Sequence, residues 1–228
     1  MKILAVETAA EACSAALFLD GEILQRWQLA PREHARLILP MLDALLAEAA
    51  ISVYALDAVA FGRGPGSFTG VRIATGVIHG VAFGADLPVL PVSTLAAMAQ
   101  ACFDDHPAAA AFTALDARMG EIYWAVYRRN AQGLAELVGK EVVIPAGQIH
   151  FPEIQGYGIG SGWGAYGAQL QEQLQGLVTH VDADCLPGAV PLVRLAAADF
   201  AAGKAVPVDE AQPVYLRDRV AKKESERQ

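Results

Sequence analysis

A glycine-rich segment followed by a helix without charges constrains this chain more than any other feature. The segment begins at the last residue of a short apolar run, residues 58–62, and its sequence is Gly62-Arg63-Gly64-Pro65-Gly66-Ser67. A helical pattern follows over residues 69–84, and no charged side chain occurs between Arg72 and Asp86. Its interior glycines recur every four residues and therefore share one face: Gly76, Gly80 and Gly84. A helix that is apolar on all sides must be buried on all sides, so we expect a partner surface or a second domain of this chain to cover it.

The glycine-rich segment matches neither of two common nucleotide-binding loops. A Walker phosphate loop needs a lysine before its Ser or Thr, and none precedes Ser67 or Thr69. The dinucleotide pattern G-x-G-x-x-G fails because Ser67 occupies the third glycine position. We favour a tight turn that requires glycine torsion angles, and an anion site at the start of the following helix remains the alternative.

Strands and helices alternate along the whole chain, which is typical of α/β architecture. We predict strands at residues 2–8, 14–19, 22–29, 58–62, 89–92, 111–116, 121–128 and 154–160. We predict helices at residues 37–49, 69–84, 94–102, 163–174 and 191–202, with Pro40 kinking the first or marking where it becomes regular. The polar stretch at residues 104–107 is the best boundary, which predicts an N-terminal domain at 1–104 and a C-terminal domain at 105–228.

The charge of the chain argues against a protein that binds nucleic acid unaided. The chain carries a net charge of −8, of which residues 1–212 contribute −10 and the last sixteen residues +2. A protein that grips nucleic acid alone normally has a basic surface. We expect the basic tail to be a solvated, partly disordered end.

The sequence predicts a cytoplasmic protein that does not span a membrane. Its three cysteines lie far apart and fit reduced thiols: Cys13, Cys102 and Cys185. Glu7 and Glu11 interrupt the apolar start, which argues against an export signal. The longer charge-free runs contain prolines or many glycines and suit a bilayer poorly.

Conventional catalytic arrangements are missing from the sequence. Neither Ser67 nor Ser161 lies in a G-x-S-x-G motif, and no H-E-x-x-H motif occurs. His180, Asp182 and Asp184 alternate, so they can approach a metal ion from one face of a strand. A solvated loop explains this trio better, and the sequence predicts no metal site and no catalytic residue.

Three further segments have a structural and a functional interpretation. Asp116 and Arg118 lie between two predicted strands and form either a site or the closure of a turn. The glycines of residues 158–162 suit either a nucleotide or a flexible connection. Glu7 ends the first strand, where a carboxylate can meet a metal-bound phosphate but is more commonly solvated.

Six motifs that run in order along the chain resemble those of the TsaB (YeaZ) family. They are Ile3-Leu4-Ala5-Val6-Glu7-Thr8, Pro31-Arg32-Glu33-His34, Gly62 to Ile73, Val92-Ser93-Thr94-Leu95, Asp116-Ala117-Arg118-Met119-Gly120-Glu121 and Pro213-Val214-Tyr215-Leu216-Arg217. The resemblance implies the two-domain fold of actin, Hsp70 and sugar kinases, a duplicated RNase H-like fold. It also implies a role in making threonylcarbamoyladenosine beside the anticodon of tRNAs that read ANN codons.

The resemblance implies partners rather than cofactors. In the family's pathway TsaD, a paralogue, transfers the threonylcarbamoyl group to adenosine, TsaB pairs with TsaD, and the small ATPase TsaE joins them. The resemblance then implies that the complex uses ATP, without clear binding of ATP by this chain. It also implies that this chain contacts tRNA only through the complex. Without TsaD, the same surface is expected to form a homodimer.

Compared with TsaD, this chain has lost the family's catalytic groups. TsaD-like proteins carry a His-x-x-x-His metal-binding motif after a Pro-Val dipeptide, and here Thr94 and Met98 occupy those positions. Glu7-Thr8-Ala9 also lacks the Asp-x-Gly that lets phosphate approach the backbone in the kinases. Both losses imply a scaffold. The alternatives are an actin-like ATPase or a glycopeptidase acting on its own and, less favoured, a stand-alone RNA binder.

The resemblance also implies where the partner binds. The family's interface is a four-helix bundle made by two N-terminal helices of each partner, which correspond to residues 34–49 and 69–84 here. The predicted interface residues are His34, Ile38, Met41, Leu45, Val71, Ala74, Val77, Ile78 and Val81. Replacing Ala74 or Val77 with arginine is expected to abolish binding while leaving the fold intact.

Overall fold

The first of two five-stranded sheets is built from residues near the N-terminus. The computed structural model describes residues 1–217, and the basic tail for which disorder was predicted lies mostly outside these residues. The sheet has the order β3-β2-β1-β4-β5. Its strands are β1 (Lys2–Glu7), β2 (Ala12–Leu19), β3 (Glu22–Leu29), β4 (Ala58–Gly62) and β5 (Val89–Val92). Asp20 and Gly21 form the tight β2–β3 turn with positive φ angles of 47° and 109°, as the Asp-Gly pair predicts.

The second sheet repeats this topology. Its order is β10-β9-β6-β7-β8. Its strands are β6 (Ala110–Arg118), β7 (Glu121–Arg129), β8 (Ala135–Pro145), β9 (Gly156–Ile159) and β10 (Val178–Asp182). In both sheets three antiparallel strands are followed by two strands parallel to the first. This duplication is the RNase H-like fold of actin, Hsp70 and sugar kinases, which confirms the predicted fold class.

Helices cover the outer faces of the two sheets. α1 (His34–Glu48) and α2 (Phe68–Ala85) pack side by side on the first sheet. α4 (Ser161–Leu174) packs on the second sheet, where only a short 3₁₀ turn at Ala146–Gln148 occupies the place that α1 has in the first half. The N-terminal half therefore presents a helix pair that the C-terminal half lacks.

The two remaining helices lie between the sheets and cross over. α3 (Thr94–Asp105) packs on the second sheet, whereas α5 (Ala189–Ala201) returns to pack on the first. After α5, Val206 pairs with Val89 at the edge of the first sheet, and Ala211 is fully buried in its core. The ranges 1–104 and 105–228 stay a prediction. In the structure, each half contributes one helix to the sheet of the other half, and residues 206–211 return to the first sheet.

Most predicted elements occur, with shifted ends. α1 begins at His34, so Pro40 lies inside the helix rather than at its start. Ser93 caps α3 by accepting a hydrogen bond from the Ala96 N–H at 3.3 Å, as predicted. Two strands were not predicted, β8 and β10. They lie at the two edges of the second sheet, where half-exposed residues produce no clear hydrophobic alternation.

Candidate partner-binding surface and interdomain cleft

The outer face of α2 is exposed. Phe68 and Arg72 lie at its start, and three glycines follow, Gly76, Gly80 and Gly84, which we call the glycine stripe. The adjacent Phe83 is 84% exposed. The second sheet and its helices do not cover this face, so the first of the two expected arrangements, a free surface for a partner, remains. α2 is also long and apolar enough to cross a membrane, but its opposite face packs into the core of the first half.

The three glycines on this face make no contact that requires glycine. A Cβ atom built at Gly76, Gly80 or Gly84 has no atom within 4 Å among residues 1–217. Each glycine nevertheless lowers helix stability by about 1 kcal/mol relative to alanine. Their effect is to leave the backbone of α2 bare along three turns.

An apolar groove lies between α1 and the C-terminal part of α2. It has a volume of about 480 Å³, and its walls include Leu39, Leu46, Tyr54, Val81 and Gly84. Leu39 is 52% exposed and Tyr54 is 74% exposed. With the glycine stripe, the groove forms a continuous surface with few charges, which we call the α1–α2 surface.

Most of the predicted interface residues point into the protein instead. Five of them have at most 2% exposure: Ile38, Leu45, Val71, Ala74 and Ile78. All of these except Val71 belong to the core of the first sheet. His34 is also buried, while Met41, Val77 and Val81 lie half-buried on the helix flanks. The prediction that arginine at Ala74 leaves the fold intact is therefore wrong, because Ala74 packs against the sheet. The prediction did not include Leu39 on α1 and Phe83 on α2, which are the exposed apolar side chains of the α1–α2 surface. On α2 both faces are apolar, so periodicity alone does not tell which one is inside.

The glycine-rich loop packs directly on the turn between β1 and β2. The Ser67 N–H donates a hydrogen bond to the Ala9 carbonyl at 2.7 Å. A Cβ at Gly66 would lie 2.6 Å from the same oxygen, and a Cβ at Gly70 would collide with the carbonyl of Thr8. Gly64 has a φ of +93°. The glycines thus allow the backbone of the loop to approach the backbone of the β1–β2 turn closely, which favours the tight-turn interpretation.

Arg63 of this loop joins the two halves of the molecule. Its guanidinium lies 3.2 Å from the carboxylate of Glu141 on β8, whose side chain is 6% exposed. The Tyr127 hydroxyl donates a 2.6 Å hydrogen bond to the same carboxylate, and burial raises the pKa of that hydroxyl well above its usual value. The result is a buried ion pair, supported by a hydrogen bond, between the loop and the second sheet.

Glu7 is fully buried rather than solvated. Its carboxylate accepts hydrogen bonds from the Ala9 N–H at 2.7 Å and from the Thr94 hydroxyl at 3.2 Å, and Gly62 packs against it. Burial raises the pKa of Glu7 to about 7, against the lowering effect of these hydrogen bonds. Met98, the other position where TsaD-like proteins place histidine, is fully buried in the core between α3 and the second sheet.

The side chains of two polar segments that could have formed a site, residues 116–118 and 180–184, contact neighbouring residues instead. Arg118 closes the β6–β7 turn, with its N–H 2.7 Å from one carboxylate oxygen of Asp116 and its guanidinium 3.1 Å from the other. Asp182 accepts a hydrogen bond from the Asp184 N–H, while His180 packs against Tyr157. Within residues 1–217, no three His, Cys, Asp or Glu side chains are placed to hold a metal ion.

A polar cleft separates the two halves. It has a volume of about 490 Å³ and is walled by Arg32 and Ser67 from the first half and by Asp116, Arg118 and Ser161 from the second. Ser67 and Ser161 lie at the N-terminal ends of α2 and α4. The equivalent ends of the two halves thus face each other across the cleft.

Comparison with known proteins agrees with the arrangement of strands and helices. The model of the family described as TsaD, tRNA N6-adenosine threonylcarbamoyltransferase, matches residues 28–223. The chain is 44% identical to the tRNA threonylcarbamoyladenosine biosynthesis protein TsaB of Escherichia coli over 97% of this chain and 96% of the relative. It is 39% identical to TsaB of Haemophilus influenzae over 96% and 95%. The solved structure of YeaZ from Pseudomonas aeruginosa superposes with a TM-score of 0.88 at 42% identity, covering 94% of this chain and 99% of that one.

The relatives match almost end to end, and the fold agrees with a solved structure of the same group. These matches cover the six short motifs and also the segments of the chain between them. The chain belongs to the TsaB (YeaZ) family of tRNA threonylcarbamoyladenosine biosynthesis proteins.

Proposed function

We propose that this chain is a non-catalytic scaffold subunit that dimerises with TsaD and supports threonylcarbamoylation of the adenosine next to the anticodon in tRNAs that read ANN codons. The observation that carries the proposal is the α1–α2 surface, an exposed apolar surface on the one helix pair that the second half of the molecule lacks. Exposed apolar surfaces of this kind mark sites of protein association.

The glycine stripe specifies how a partner helix packs. Helices usually approach to 8–10 Å between axes, a distance set by the side chains at the contact. Because Gly76, Gly80 and Gly84 have no side chains, a helix of TsaD or of a second copy can approach α2 more closely than this. Leu39 and Phe83 then bury apolar area at the edges of the contact, and burial provides about 25 cal/mol per Å².

The interior near Glu7 supports a scaffold rather than an enzyme. Thr94 and Met98 replace two imidazoles of the TsaD-like motif with a hydroxyl and a thioether that are already packed against protein atoms. Neither side chain is a good ligand for the divalent metals that imidazole binds. The glycine-rich loop meets the Ala9 carbonyl where the kinases keep room for a phosphate.

The remaining partners follow from this role. TsaE joins the pair, ATP is used by the complex, and tRNA is modified by TsaD. In the absence of TsaD the α1–α2 surface forms a homodimer, which competes with the heterodimer. The protein acts in the cytoplasm, where its tRNA substrates are made and used.

Reconstitution tests this proposal directly. Purified TsaD, TsaE, ATP, threonylcarbamoyl-adenylate and unmodified tRNA are incubated with and without this chain, and modified adenosine is quantified by mass spectrometry of tRNA digests. Modification is expected only when the chain is present. Full modification without it would contradict the scaffold role.

The isolated chain provides the control for the competing enzyme hypotheses. Supplied with magnesium, zinc and ATP, or with a glycopeptide substrate, the chain alone is expected to show no turnover above buffer. Stoichiometric or multiple turnover that is lost in the Glu7→Gln variant would favour the ATPase or glycopeptidase alternative.

A further inference from the structure

We propose that this chain contacts tRNA directly through an exposed arginine and two aromatic rings at the N-terminal end of α2. We call Phe68, Arg72 and Tyr215 the arginine–aromatic surface. The proposal rests on the proposed function, because tRNA reaches this chain within the complex with TsaD. It extends that function by giving the chain a binding site of its own for the nucleic acid.

The geometry of the three side chains is a stack. The guanidinium carbon of Arg72 lies 3.3 Å from the ring centroid of Phe68 and 5.2 Å from that of Tyr215. The two ring centroids are 5.7 Å apart. Phe68 is 51% exposed and Tyr215 is 44% exposed, so about half of each residue remains open to solvent. Stacking orients the guanidinium while its N–H groups remain available.

The surface is held in place from both halves of the molecule. Next to Tyr215, the Val214 N–H donates a 2.8 Å hydrogen bond to the carbonyl of Arg63. Two residues after Tyr215, the Arg217 side chain pairs with Glu121 at the start of β7. Tyr215 therefore belongs to an anchored segment, and its ring is presented at a defined place against α2.

The charge of Arg72 favours a polyanion. Arg72 has no carboxylate within 4 Å among residues 1–217, so no residue that the structure describes neutralises its charge in an ion pair. The pocket beside Phe68 shares Gly66 and Tyr123 with the adjacent interdomain cleft. Arg118 in the cleft and Arg217 in the pocket are each paired with a carboxylate, so Arg72 carries the charge of the arginine–aromatic surface.

Nucleic acid suits this chemistry better than a protein partner does. Unpaired RNA bases stack on aromatic rings and on guanidinium planes, and phosphates accept hydrogen bonds from arginine. The rest of the exposed face of α2 has the opposite character, with glycines and Phe83 and without charged side chains. The two ends of one helix face thus suit two classes of partner, RNA at the start and protein beyond it.

Anisotropy of labelled, unmodified tRNA titrated with the complex of this chain and TsaD tests the proposal. Tyr215→Leu is expected to weaken binding about 10-fold, because one base–aromatic stack contributes about 1–3 kcal/mol. Arg72→Gln is expected to weaken binding and to lower the slope of log K against log salt by about 1, as loss of one phosphate contact does. Arg128→Gln, which removes an exposed arginine on β7, is the matched charge control and should leave affinity and slope unchanged.

Co-elution of each variant with TsaD separates the possible outcomes. Weaker tRNA binding with normal co-elution supports the direct contact. Unchanged tRNA binding by both variants overturns it, and so does loss of co-elution, which would make the arginine–aromatic surface a protein interface. If the wild-type chain did not co-elute with TsaD, the proposed function would fail. In that case, the same titration is done at low salt with the chain alone. Weaker tRNA binding by the Tyr215→Leu and Arg72→Gln variants than by the wild type would support the direct contact, and equal binding would overturn it.

Discussion

The hydroxyl of Thr94 donates a hydrogen bond to the carboxylate of Glu7 across 3.2 Å, at a point where β1 meets the start of α3. Both residues are fully buried. The resemblance to TsaD-like proteins implies a metal-binding histidine at the position of Thr94, whereas here a hydroxyl and a carboxyl group satisfy each other.

Glu7→Gln should change how stability depends on pH. The pKa of Glu7 is raised from 4.5 to about 7 in the folded protein, so the folded state binds the proton more tightly than the unfolded state does. The free energy of unfolding therefore falls as pH rises from 4.5 to 7. The full penalty above pH 7 is about 3 kcal/mol, and glutamine removes it. Urea unfolding at pH 5 and pH 8 measures the free energy of unfolding of both proteins. The value for the variant should rise relative to that of the wild type between pH 5 and pH 8. Parallel pH profiles of the two proteins would contradict the burial of an ionisable Glu7.

Gly80→Ala should stabilise the isolated subunit and weaken its association. Alanine favours a helix by about 1 kcal/mol relative to glycine, and the added methyl group meets no atom within 4 Å. In the dimer, the same methyl group holds the partner helix away. Urea unfolding and sedimentation equilibrium measure the two effects.

Gly167→Ala is the matched control for that variant. Gly167 lies in α4, and its Cβ would also be free of contacts within 4 Å. It follows Tyr166, whose φ of −132° interrupts the helix, so a smaller gain in stability is expected, with an unchanged dimerisation constant. Equal dimerisation constants for Gly80→Ala and the wild type would show that the glycine stripe is not part of the interface.

Glu141→Ala should destabilise the protein by about 3 kcal/mol, because it leaves the guanidinium of Arg63 partly buried without its partner. Arg63→Met should cost less when Glu141 is already alanine. A double-mutant cycle in urea unfolding measures this coupling. Additive effects of the two substitutions would mean that the loop and β8 are not energetically linked.

Ala74→Arg and Gly76→Arg should have opposite effects although they lie two residues apart. Ala74 is fully buried against the first sheet, so arginine there forces a charge into the core and should prevent folding. Arginine at Gly76 points to solvent and should leave the unfolding midpoint near that of the wild type while blocking association. Circular dichroism and gel filtration distinguish the two outcomes. A folded Ala74→Arg variant would contradict the packing of α2.

The sequence predicts much of the first sheet and less of the second. β3, β4 and β5 match their predicted ends because apolar runs are bounded by clear turn residues such as Asp20-Gly21. β8 was missed because Gly139 and Lys140 interrupt its pattern, and the edge strand β10 because His180 and Asp182 look like loop residues. Edge strands bury few side chains, and their sequences carry a weak pattern.

The resemblance predicts a partner surface on α1 and α2, but the sequence does not tell which residues of these helices face outward. Apolar side chains on both faces of α2 leave no hydrophobic gradient to separate Ala74 in the core from Val77 on the flank. The four-residue glycine spacing is the only local signal for the outer face. The arginine–aromatic surface has no local signal, since Tyr215 reaches Phe68 only after the chain has crossed both sheets and returned.

The affinity of TsaD for the Gly80→Arg variant tests the scaffold role most directly, with Gly167→Arg as the control at a half-buried position of α4 where a Cβ meets no atom within 4 Å. Isothermal titration calorimetry measures the dissociation constant, and circular dichroism verifies the fold of each variant. The α1–α2 surface predicts that Gly80→Arg weakens the heterodimer at least about 100-fold, or about 2.7 kcal/mol, and that Gly167→Arg binds like the wild type. Wild-type affinity for a folded Gly80→Arg variant would contradict the account.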